Sequence, residues 1–171
     1  MTNLGFKKIT PENWLVPDPN SALLFRINPL GEIEPMTGEH WLAEIMNSVL
    51  DPNVPIEVRR EFEVARGAMV YGYHFYPLFT LGWEQLFRVA DAAVLHKCRS
   101  VGCPKSRKTF DDRLKYMRDS NILSAAEFDQ WDAIRLLRNM VSHAEDQMIL
   151  PPGSAVESIQ NICERINALF K

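Results

Sequence analysis

From Thr37 onward the apolar residues recur at intervals of three and four, the spacing of one face of a helix, whereas before Thr37 they are scattered. Trp41, Leu42, Ile45, Met46, Val49 and Leu50 mark a first helix that Asp51-Pro52 closes. A second is expected from about Ile56 to Tyr76, and Pro77 either kinks it or starts the next. That third helix, from about Leu78 to Lys97, puts Leu78, Leu81, Leu86, Val89, Ala92 and Ala93 on a broad apolar face. After Gly102, Cys103 and Pro104, Thr109 can cap a short helix containing Phe110, Leu114 and Met117. Ser124 followed by Glu127 is a capping-box pattern that opens a helix with Phe128, Trp131, Ile134, Leu137 and Val141 at core spacing. Ser154 followed by Glu157 repeats the pattern for a last helix, with Pro151-Pro152-Gly153 between the two.

The stretch before Thr37 carries Pro11, Pro17, Pro19, Pro29 and Pro35, which predicts an irregular arm packed on the domain, with Leu23–Asn28 compatible with a short strand. No alternating run is long enough to build a substantial sheet. The expected architecture is therefore all-α: residues 1–36 form an irregular Pro-rich N-terminal arm, and residues 37–171 a compact bundle of five to six helices.

A chain of 171 residues with 46% apolar and 24% charged residues can bury one core without staples. Three cysteines cannot all pair within it, and the first residues lack a signal-peptide run, so a cytoplasmic protein is expected. The longest uncharged stretch, Gly67 to Trp83, is interrupted by His74 and Pro77 and falls short of the ~20 residues of a membrane helix; no membrane association is expected. The net charge is −3, but eight Lys or Arg stand against two Asp between Lys97 and Arg118, a local +6 that leaves −9 for the rest. Such a stretch is either a solvated surface or a place where polyanions are drawn in.

The penultimate helix carries the candidate chemistry. Advancing about 100° per residue sets Ile134, Leu137, Met140 and Val141 on a core arc, with Arg135, Arg138, Asn139, Ser142 and His143 on the other side. No Asp or Glu lies between Asp132 and Glu145, so this helix offers its own arginines no carboxylate over that stretch. One reading is a solvated helix end whose His143 meets the last carbonyls. The other is a cationic face for phosphate, in which Asn139 orients the His143 ring four residues on, and Arg138 and Ser142 share an anion.

Leu137-Arg138-Asn139-Met140-Val141-Ser142-His143 resembles the Arg-Asn-x-x-x-His signature of the HEPN superfamily, helical-bundle proteins many of which are metal-independent ribonucleases. The signature lies late in the bundle with one more helix after it, as in that family, and the resemblance extends over roughly residues 57–170. It implies Arg138 and His143 as catalytic residues supported by Asn139, and a face-to-face homodimer that brings two copies to one cleft. It further implies RNA cleavage by the neighbouring 2′-hydroxyl, with no cofactor or metal, in a toxin or phage-defence setting that can include an antitoxin or regulatory protein. Histidine suits the proton transfer and arginine the charge on the phosphoryl oxygens. Ser142 and Glu84 are candidate supporting residues, the latter if it reaches an arginine of the penultimate helix. Arg135, Lys105, Arg107 and Lys108 are candidate RNA contacts. The alternative within the same family is an inactive nucleotide- or RNA-binding or protein-interaction module.

Two other groups compete less well. His96, Cys98 and Cys103 could hold zinc in an interaction module, but they are one ligand short of a structural site and lack knuckle spacing. Tyr71, Tyr73, Phe75 and Tyr76 could stack bases, although at helical spacing near a proline core packing is the better reading. Neither a phosphate-cradling Gly-rich loop nor a nucleophile elbow is present.

Overall fold

The computed structural model describes residues 5–141 and 152–171. Among them are six α-helices and one two-stranded hairpin: β1 (Phe25–Ile27), β2 (Ile33–Pro35), α1 (Gly38–Met46), α2 (Ile56–Tyr71), α3 (Leu78–Ser100), α4 (Phe110–Asp119), α5 (Ala125–Val141) and α6 (Pro152–Leu169). The fold is an all-α bundle, and α3 is its axis, packed by α2, α4, α5 and α6.

Local chemistry sets most helix starts. The Thr37 hydroxyl accepts from the His40 N–H to open α1, and Thr109 and Asp112 form a full capping box at α4. Ser124 and Glu127 do the same at α5: the Glu127 carboxylate accepts from the Ser124 N–H at 2.8 Å, and the Ser124 hydroxyl from the Glu127 N–H at 3.3 Å. The Ser124 hydroxyl, which also donates to the Glu127 carboxylate at 2.6 Å, and then the Ser124 N–H hold that carboxyl below its ordinary pKa. Elsewhere the expected bounds shift. α1 stops at Met46, α2 at Tyr71, and Ser154 lies inside α6, because Pro152, with its fixed φ and no N–H to lose, already starts that helix.

The α2–α3 hairpin is built on a close approach at Gly82, where a Cβ would stand 2.7 Å from Met69 Cγ and 3.2 Å from the Ala65 carbonyl oxygen. Trp41 closes the same region, donating its indole N–H to the Met69 carbonyl at 2.9 Å. Phe62, Met69, Phe79, Leu86, Leu114, Met117, Ile159 and Ile166 are fully buried around this axis. The N-terminal residues meet the bundle through Asp18, whose carboxylate accepts from the N–H groups of Lys7 and Tyr76. Tyr73 and Tyr76 pack against the core, while Tyr71 is exposed.

The end of α5 departs from the expected pattern. Trp131 and Ile134 are buried, but Leu136, Leu137 and Met140 are 50%, 41% and 64% exposed. Counting at helical spacing assigns Leu137 and Met140 to the core arc; here the bundle covers only the first part of that arc.

Candidate functional site

α5 carries Arg135 and Arg138 along the side that faces the C-terminal half of α3 and the start of α4, with Asn139 beside them. Of the motif, the structure describes Arg138 and Asn139; Ser142 and His143 lie outside the described residues. Arg138 is half-buried and Asn139 exposed.

Two of the three carboxylates that meet these arginines come from neighbouring helices. Asp91 of α3 reaches Arg138 with 3.5 Å between Oδ2 and the guanidinium, and its other oxygen binds Arg113 of α4 at 2.7 Å. Arg135 is held by Asp132 at 2.6 Å and by Asp111 of α4 at 3.7 Å. The hydrogen bond to Asp132 raises the Arg135 pKa above its ordinary value, with the Asp132 and Asp111 charges adding to it. The face is thus a set of arginines fixed by acids from α3, α4 and α5 itself, which corrects the picture of a cationic face without partners.

Asp91 is the residue that sequence reasoning missed. The expected partner of an α5 arginine on α3 was Glu84, which is half-buried and, among the described residues, makes no ion pair with Arg135 or Arg138. Asp91 lies seven residues further on, two helical turns along the same stripe. That spacing was the available signal, and only the lengthwise register of α3 against α5 decides which acid meets the arginine.

The basic stretch falls on the end of α3, the following loop and α4. Arg99, Lys105, Arg107 and Lys108 are all exposed there, and Arg113 is partly buried, paired with Asp91. Since Arg113 shares Asp91 with Arg138, the basic region and the motif arginine meet through one carboxylate. Cys98 and Cys103 adjoin in this region; burial first, then the hydrogen bond with Cys103, push the Cys98 thiol up to about 12. Among the described residues, His96, Cys98 and Cys103 do not gather into a metal-ligand group. No described helix is long and apolar enough to cross a membrane.

Compared with family models, with curated proteins and with solved structures, the chain matches none.

Proposed function

We propose that this protein is a cytoplasmic, metal-independent endoribonuclease of the HEPN type, acting as a homodimer in a toxin or phage-defence role. The observation that carries the reading is the placement of Arg138: it sits in the last turn of α5, tied through Asp91 to a basic surface, with Leu136, Leu137 and Met140 exposed around it. A second copy covering those apolar side chains would bring two motifs to one cleft.

In that cleft the substrate's 2′-hydroxyl attacks the adjacent phosphorus and the 5′-oxygen of the next nucleotide leaves. His143 takes the hydroxyl proton and a protonated histidine supplies one to the leaving oxygen, while Arg138 meets the charge on the phosphoryl oxygens. Asn139 and Ser142 are supporting residues in this scheme. The products are a 2′,3′-cyclic phosphate and a 5′-hydroxyl end, and DNA, lacking the attacking group, stays intact. Removing either Arg138 or His143 should abolish cleavage; equal cleavage by the double variant would refute the assignment.

The second reading, an RNA- or nucleotide-binding module without turnover, is favoured by the basic loop. Its cations Lys105, Arg107 and Lys108 make no ion pair among the described residues. A purified protein that binds RNA and cuts none in any buffer would establish it.

A further inference from the structure

The basic stretch encloses a pocket of about 250 Å³ between the end of α3, the loop after it and α4. The turn that makes it is local. Gly102 takes φ 75°, the Cys103 N–H donates to the Cys98 carbonyl at 2.8 Å, and the Gly102 N–H donates to the Arg99 carbonyl at 3.4 Å. This is a Schellman ending, which turns the chain back beside its own helix. The loop then folds through an Arg107 N–H to Pro104 carbonyl bond at 3.0 Å, and Arg113 clamps it by donating to the Lys108 carbonyl at 2.5 Å. Arg99, Lys105, Arg107, Lys108 and Arg113 thereby line one concavity.

The charges there are poorly matched. Arg113 has Asp91, but among the described residues Arg99, Lys105, Arg107 and Lys108 make no ion pair. The nearest acids in sequence are engaged elsewhere: Asp111 pairs with Lys115 at 2.7 Å, and the hydroxyl and the N–H of Thr109 hold the Asp112 carboxyl below its ordinary pKa, with Arg107 and Lys115 contributing less. Crowding like charges around a concavity is unfavourable until an anion enters. Arg113 Nε is also buried and has no hydrogen-bond partner among the described residues, a donor that native proteins seldom leave unmet. Because the Thr109 capping box already occupies the start of α4, the side-chain cations rather than the helix end would hold the ligand.

Size limits what that anion is. At ~30 Å³ of liquid per water, the concavity has room for about eight waters, the scale of a phosphate and the sugar that bears it. We propose that this pocket binds a phosphomonoester: the terminal phosphate of an RNA, or the same group on a free small molecule. In the RNA case the inference rests on the function proposed above, and it then fixes the substrate class as RNA with a phosphorylated end, anchored beside Arg138 through the shared Asp91. Binding, not cleavage, reads it, so either proposal can fail alone.

The experiment is calorimetry on the full chain with one short RNA carrying a 5′-phosphate, a 3′-phosphate or neither, and separately with inorganic phosphate and a nucleoside monophosphate. One end phosphate should tighten RNA binding about tenfold or more, the scale of a charge-assisted hydrogen bond. The gain should vanish in Lys105→Ser/Arg107→Ser/Lys108→Ser, persist in Arg60→Ser on exposed α2, and shrink below about pH 6 as the monoester loses its second charge. Small phosphates that bind in a manner sensitive to the triple variant, with no gain on RNA, would support the site and assign it to a free ligand. Equal affinities for all three RNAs together with no binding of the small phosphates, or a gain untouched by the triple variant, would overturn it.

Discussion

Asp91 holds two arginines from two helices, and Asp91→Asn removes the charge that orients both. Because these side chains are only partly buried, screening keeps the stability cost to about 1 kcal/mol, read as a lower urea midpoint. Cleavage should fall by more than that stability loss explains, in kcat rather than KM, because Arg138 would no longer be held for the transition state. The thiols make a second prediction at this scale. Burial pushes Cys163 from 9.0 up to about 11, so between those values the folded chain keeps a proton that the unfolded chain has released. Stability attributable to this thiol is complete below pH 9 and is lost as pH rises toward 11. Cys163→Ser keeps a donor for the Val49 carbonyl that the thiol contacts at 3.2 Å, and urea melts at pH 8 and 10.5 should show a smaller alkaline loss in that variant. Individual residue types were legible here and their partners were not: Arg138 could be singled out from its motif, but Asp91 is distinguished from Glu84 only by register.

Helix starts were the most readable elements, since a cap is a contact between residues three apart. Thr109 and Ser124 cap where their spacing indicates, and Thr37 caps α1 without a capping box to announce it. Ser154 misled because a proline two residues earlier, with fixed φ and no N–H to leave unpaired, already starts the helix. Thr109→Ala should cost about 1 kcal/mol by removing the hydroxyl that accepts from Asp112 N–H, measured by thermal melting. The α2–α3 contact makes a different demand, for absence of a side chain. Gly82→Ala would drive a methyl toward Met69 and the Ala65 carbonyl, and should destabilise by ~1–3 kcal/mol, the usual cost of overpacking, despite favouring helix. The end of α5 was misread for a physical reason: helical periodicity marks an apolar arc without saying whether this chain or another molecule covers it. Leu137 and Met140 belong to the arc and remain exposed.

At the scale of the whole molecule, a net charge of −3 hides a basic surface that neighbours the motif arginine, so RNA binding should weaken steeply as salt rises. Lys105→Ser/Arg107→Ser/Lys108→Ser should lower both the affinity and the salt slope with the fold intact by circular dichroism; unchanged RNA affinity would remove this surface from the mechanism. If a second copy covers the exposed apolar end of α5, as proposed, light scattering should detect a dimer at tens of micromolar, and a monomer there would leave no composite cleft. The helical class was legible because burial periodicity is written along the chain, whereas the pocket and the arginine clamps depend on contacts between helices that periodicity does not encode. The most direct test of the account is incubation of purified parent, Arg138→Ala and His143→Ala proteins with RNA in the presence of chelator. The parent should yield 2′,3′-cyclic phosphate ends, and each variant should be slower by ~10²- to 10⁴-fold while remaining folded. Cleavage by the double variant at the parental rate, or intact RNA with the parent in every buffer, would contradict it.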